Sequence, residues 1–148
     1  MTPVADGNGS STITVTVDDG TTTSDDTFVQ TVTSVNDAPI LIEDISNQTT
    51  DEDVTLSGLA FTITDVDDVL DCVSSMSASS DNPTLLSTGN IIFAGTAPNC
   101  SVSYIPTANE FGSSLINLTV SDGQLSDTDG HYFIVNAVND APVANNDT

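Results

Sequence analysis

The chain has 148 residues, and its 22 acidic residues face no lysine or arginine, so its formal net charge is −22. Such a field repels phosphate backbones and anionic lipid headgroups, which argues against nucleic acid and membrane-surface partners. No apolar run approaches the ~18 residues of a membrane-spanning helix, so we expect no membrane insertion. Most of the acids are Asp, whose short carboxylates suit tight loops around a hard cation.

Strand patterns begin near the N-terminus and continue along the chain. Residues 12–17 read T-I-T-V-T-V, and this period-two alternation predicts a β-strand. No 3.6-residue stripe long enough for a core helix is present. From residue 38 onward we predict seven strands, which together indicate an all-β, antiparallel Greek-key sandwich. Their approximate ranges are 39–43, 54–64, 71–77, 84–93, 100–105, 114–121 and 131–138.

The pentapeptide V-N-D-A-P occurs twice, at residues 35–39 and 138–142. A shift of 103 residues aligns 3–39 with 106–142 without a gap, and 17 of the 37 aligned positions are identical. A match of this length at a fixed period indicates an internal repeat, with the pentapeptide at its boundary. The domains predicted are the C-terminal part of a preceding repeat (1–37), a complete repeat (38–140) and the start of the next repeat or a tail (141–148).

The first 37 residues are expected to form the last two strands of their repeat, as a β-hairpin. Its apolar face has no matching sheet in its own repeat, and an isolated hairpin is marginal in water. Unpaired strand edges also invite pairing with other chains. We therefore predict an intermolecular or end-to-end contact at this hairpin, with a homo-oligomer as one outcome.

Five short stretches carry a resemblance to a known family. They are the two V-N-D-A-P linkers, T-D-E-D at 50–53, T-D-V-D-D at 64–68 and T-V-S-D-G-Q-L-S-D at 119–127. With them the chain resembles the bacterial cadherin-like, immunoglobulin-sandwich repeats found in tandem in large secreted adhesins. The resemblance implies Ca²⁺ at the junctions between repeats. The ligands it implies at the first junction are Asn36, Asp37, Asp65, Asp67 and Asp122.

Elementary electrostatics favours the same site. In a seven-stranded sandwich the loop after the second strand and the loop between the last two strands lie at one end, which the incoming linker also reaches. Carboxylates gathered there need a bound cation, because the chain has no basic side chain to neutralise them. Calcium takes six to eight oxygen ligands. A second, weaker site is predicted around Asp140 with Glu52; the alternative is that these acids are simply turn formers.

The remaining reactive side chains indicate no catalysis. Cys72 and Cys100 either form a disulfide or remain buried thiols, and an extracellular setting favours the disulfide. His131 is the single histidine and lies in a predicted strand, so packing is expected rather than a catalytic triad. The chain is therefore predicted not to be an enzyme.

The sequence thus favours a calcium-binding structural repeat of a secreted or cell-surface adhesin. Its expected partners are neighbouring repeats of the same protein and a surface glycan or protein. One alternative is a carbohydrate-binding module of a secreted enzyme, which needs an exposed aromatic pair; only Phe111 and Tyr104 are candidates, and Tyr104 is expected in the core. Another is a self-assembling extracellular filament subunit, in which a neighbour completes the hairpin.

Overall fold

The computed structural model describes residues 2–42 and 45–142, which are all β apart from one 3₁₀ turn at Thr88–Asn90. The chain divides into two compact units, Met1–Asn36 and Asp37–Thr148. Of the predicted tail at 141–148, residues 143–148 lie outside the described part. Within that part, no helix is long and apolar enough to cross a membrane.

The second unit is a sandwich of two four-stranded sheets. The strands are β3 (Ile40–Ile42), β4 (Gln48–Asp51), β5 (Leu56–Thr64), β6 (Met76–Ser80), β7 (Ile91–Thr96), β8 (Asn99–Tyr104), β9 (Gly112–Ser121) and β10 (Ser126–Asn136). One sheet has the order β4-β10-β9-β6 and the other the order β3-β5-β8-β7. Neighbouring strands run antiparallel, except that β4 pairs with β10 in parallel.

The predicted all-β sandwich with antiparallel sheets is confirmed, but the prediction of seven strands, all antiparallel, was wrong. The described part of the second unit has eight, because the parallel strand β4 was missed. The strand expected at 71–77 is mostly a turn: the Asp71 carboxylate accepts the amide N–H groups of Val73 and Ser74. The strand expected at 84–93 begins only at Ile91, because the Asn82 carbonyl accepts the amides of residues 85 and 86.

The core lies between the two sheets and follows the alternation of their strands. From Ser114 on β9 and from His131 on β10, every second side chain is buried, and Tyr104 of β8 packs against Phe133 with ring centroids 5.2 Å apart. Tyr104 is fully buried, and its hydroxyl lies 2.9 Å from Nε2 of His131. The expectations that Tyr104 belongs to the core and that His131 packs within a strand are confirmed. The buried residues of β9 and β10 are Ser114, Ile116, Leu118, Val120, His131, Phe133 and Val135.

A disulfide joins Cys72 and Cys100, whose Cα atoms lie 5.4 Å apart. Both side chains are within the core. The bond links the turn before β6 to the start of β8, so it ties the two sheets together across 28 residues of sequence.

Replacing both cysteines by alanine should lower the free energy of unfolding by about 2–4 kcal/mol, because the unfolded chain would no longer be held in a closed loop. Urea denaturation of the double variant, compared with the oxidised protein, measures this loss. A loss well under 1 kcal/mol would show that the bond adds no constraint.

The first unit is the hairpin β1 (Gly9–Asp18) and β2 (Thr23–Val32), paired in antiparallel register. Its turn is closed by the Asp19 carboxylate, which accepts the amides of Thr22 and Thr21 at 2.8 and 2.9 Å. These two hydrogen bonds, with Thr22 the stronger, hold the pKa of Asp19 below its ordinary value. No described residue of 2–36 is buried within this unit, so the hairpin has strand pairing but no core of its own.

Candidate metal site at one end of the sandwich

Three carboxylates meet where two strands of opposite sheets end. Asp65 follows β5 directly, and Asp122 follows β9 directly. Asp65, Asp68 and Asp122 each offer an oxygen, and these oxygens all lie within 4.8 Å of one another. Across residues 2–42 and 45–142, no other group of three His, Cys or acidic side chains meets this closeness. We call these three residues the acidic trio.

Asp65 is held in place by its own loop. Its Oδ1 accepts the amides of Asp67 and Asp68 at 2.8 and 3.0 Å, which turns the chain immediately after β5. Its Oδ2 is buried and has no hydrogen-bond partner among the described residues. A buried carboxylate oxygen without a partner is costly, so this atom fits a position that receives a cation.

Asp122 is fixed in a similar way on the other sheet. Its Oδ1 accepts the amides of Gln124 and Leu125 at 2.6 and 2.7 Å and so closes the turn between β9 and β10. Asp122 and Asp65 are both half-buried, whereas Asp68 is exposed. The trio therefore has two anchored carboxylates and one at the surface.

The linker predicted to reach this end includes Asp37. The Asp37 amide donates to the carboxylate of Asp67 at 2.9 Å, so the chain enters the second unit beside the loop that follows β5. Asp67 thus ties the linker to the loop instead of joining the trio. Asn36, the other predicted linker ligand, belongs to the first unit.

Asp68 was missed by the sequence analysis, although a signal for it was present. In D-V-D-D, an Asp at the first position accepts the amides two and three residues later. This turn brings the carboxylate of Asp68 close to that of Asp65, while Asp67 reaches the linker amide. The alternation of the strand alone gave no reason to choose between Asp67 and Asp68.

The residues predicted for the second junction lie near the far end of β10. Glu52 is 7% exposed; its amide donates to the carbonyl of Asn136, and its carboxylate accepts the amide of Val138. Asp140 is exposed. Neither joins a close group of three ligand side chains within the described residues. The buried carboxylate of Glu52 thus holds the segment that follows β10 through the amide of Val138.

The three carboxylates of the trio repel one another, and no lysine or arginine offsets their charge. Two unit charges about 4 Å apart repel by about 1 kcal/mol in water and about 4 kcal/mol at an effective dielectric constant near 20. The chain has no lysine or arginine, and its single histidine lies in the core beside Tyr104. The chemistry of the trio, oxygen ligands with net negative charge, is that of a site for a hard divalent cation.

The two-sheet sandwich is the fold of an immunoglobulin-like module. Residues 36–132 match the sequence profile of the bacterial Ig domain, and the chain belongs to this family. Bacterial Ig domains are typical of extracellular surface proteins, and Ig-like repeats commonly occur in tandem arrays. A comparison with curated proteins gave no match.

Solved structures with a similar fold come from titin. The titin domains Z1Z2 in complex with telethonin superpose with a TM-score of 0.57 at 12% identity, covering 89% of this chain and 62% of theirs. Titin domain M7 superposes with a TM-score of 0.53 at 13% identity, covering 71% of this chain and 100% of its own. At such low identity these likenesses show the fold alone.

Proposed function

We propose that this chain is a structural repeat segment of a secreted or cell-surface adhesin, and that the acidic trio binds calcium where the chain enters the complete repeat. The observation that carries the proposal is the approach of three carboxylates to within 4.8 Å, with the Oδ2 of Asp65 buried and unpartnered. The absence of basic residues from the whole chain supports it, because no side chain can replace the cation.

The trio would supply part of a calcium shell. Calcium binds six to eight oxygens in flexible geometry, so three carboxylates need further ligands from carbonyls, water or the linker. Asp37 of the linker lies beside the loop that follows β5, since its amide donates to the carboxylate of Asp67. Asn36, Asp37 and Asp67 are therefore kept as proposed contributors to the same site.

An ion at this position would act mechanically. Bound between a loop of each sheet and the linker, it would restrict the direction in which the previous repeat extends. Neighbouring repeats are then the principal partners, and a stiffened array would present a distal adhesive end. No catalytic step enters this account.

The carbohydrate-binding alternative has weaker support. Of its two candidate platform residues, Tyr104 is fully buried, and Phe111 is 62% exposed. These two residues therefore do not form the exposed pair that this alternative requires. We therefore keep the structural repeat as the proposed function.

Calcium titration of two matched variants tests the proposal. Asp65→Asn keeps the oxygen that accepts the loop amides but loses the charge, so calcium affinity should fall by at least tenfold by isothermal calorimetry. Asp129→Asn makes the same charge change at an exposed position, where the carboxylate accepts the neighbouring amide of Gly130, and should leave the affinity within about twofold. Equal affinities for both variants and the parent would show that the trio is not the calcium site.

A further inference from the structure

The hairpin β1–β2 repeats the backbone of the hairpin β9–β10. Its ten residue pairs run from Gly9↔Val32 to Asp18↔Thr23, and shifting them by 103 reproduces all ten pairs of β9–β10. The turn is repeated as well, since Asp19 and Asp122 each accept the amides two and three residues later. The two hairpins are therefore the same structural element in two settings.

The settings differ in what covers the inner face. In β9, Ile116, Leu118 and Val120 are fully buried against the opposite sheet. Their counterparts in β1 are Ile13, Val15 and Val17, and within the described first unit Val15 is 50% and Val17 67% exposed. The hairpin thus carries the apolar pattern of a sandwich core without that core.

The edges differ in the same way. In the hairpin β9–β10, the outer edge of β9 pairs with β6 and the outer edge of β10 pairs with β4. In the described part of the chain, β1 and β2 pair only with each other. An apolar face with two open edges matches what β9–β10 would show if the other six strands of the sandwich were removed.

We propose that the hairpin β1–β2 is completed by a different Ig-like repeat, which supplies a facing sheet equivalent to β3-β5-β8-β7 and edge strands equivalent to β4 and β6. This inference rests on the proposed tandem array and adds the partner of the first unit. The occupant is defined by its geometry: it must present an apolar sheet to Ile13, Val15 and Val17.

Two side chains argue against a second copy of this chain as the occupant. Phe28 stands where β10 has His131, and Gln30 stands where it has Phe133. If β1–β2 replaced β9–β10 in a second copy, the Tyr104 hydroxyl would lose His131 as its partner. The Gln30 amide would also stand where the fully buried ring of Phe133 packs on Tyr104. Burying a polar group without a partner is unfavourable, so a repeat with a polar group opposite Gln30 fits better.

A fused chain tests this inference. A copy of residues 38–105 is placed directly before Pro3, which aligns with Pro106, so that the hairpin can complete a second sandwich. Because the copy is matched to His131 and Phe133, the fused chain also carries Phe28→His and Gln30→Phe. Amide hydrogen exchange of residues 12–32 should then slow by on the order of a hundredfold relative to the parent chain.

Two further substitutions in the fused chain check the face that is used. Val15→Asp should abolish the new protection, because it places a charge on the inner face, whereas Thr14→Asp on the opposite face should retain it. Exchange in 38–140, followed in the same spectra with calcium and with chelator, reports separately on the metal site. If calcium has no effect on exchange in 38–140, the hairpin result can still be interpreted, provided that 38–140 is protected.

Two results would overturn the proposal. One is a hairpin that stays unprotected in the substituted fused chain while 38–140 is protected. The other is a parent chain that has twice the monomer mass and an already protected hairpin, which would make a second copy the occupant.

Discussion

Replacing Phe133 by alanine should lower the free energy of unfolding of the complete repeat by about 3–5 kcal/mol. The side chain is fully buried and packs edge-on against Tyr104 at 5.2 Å, so truncation leaves a cavity between the two sheets. For a domain of about 100 residues this corresponds to a fall in Tm on the order of 15 °C or more. Urea denaturation and differential scanning calorimetry measure both quantities.

The matched control is the adjacent residue of the same strand. Tyr132 is 50% exposed and points to the other face, so Tyr132→Ala should cost under about 1 kcal/mol. The contrast tests the register of β10, because a slip by one residue would exchange the two faces. Equal losses for the two variants would contradict the assigned register.

Calcium should raise the stability of the complete repeat by about 4 kcal/mol at a free concentration a thousand times its Kd, because the ion binds the folded end of the sandwich and not the unfolded chain. The expected rise in Tm is on the order of 20 °C over a chelator-treated sample. Magnesium should give a smaller rise, since it demands octahedral geometry and loses water reluctantly.

Charge screening must be separated from binding, because a chain of net charge −22 gains stability from any salt. Sodium chloride at matched ionic strength supplies that control. The variant Asp65→Asn should lose at least about a third of the calcium-specific rise, because a tenfold weaker affinity removes about 1.4 kcal/mol, while Asp129→Asn should keep it. Identical melting curves in calcium, matched sodium chloride and chelator would remove the metal from the function.

Much of the fold could be predicted from local patterns. The alternation in residues 115–120 marks a strand with one buried face, and the structure buries Ile116, Leu118 and Val120 as that pattern requires. β4 could not be found in this way. It is four polar residues long and is held by parallel backbone hydrogen bonds to β10, a long-range pairing with no local signature.

Turns set the other limits on prediction. The segment 71–77 has strand-like composition, but Asp71 captures two amides of the following residues and bends the chain. The hydrogen bonds from the Ser74 and Val73 amides also hold the pKa of Asp71 below its ordinary value. A side chain that competes for backbone amides overrides strand propensity at this point.

Part of the candidate site could be predicted from the sequence. Asp65 and Asp122 directly follow strands, so a sandwich topology places them at one end without detailed geometry. The choice of Asp68 over Asp67 depended on how Asp65 folds its own loop, which the alternation of the strand does not indicate. Burial of Glu52 depended on the amide of Val138, 86 residues away in sequence.

The most direct test of the account is the position of the ion itself. Crystals grown with calcium, measured at a long wavelength, should show an anomalous peak bound by Asp65, Asp68 and Asp122, with oxygens at about 2.3–2.6 Å. Crystals at saturating calcium in which these three carboxylates hold only water, or have moved apart, would contradict the account.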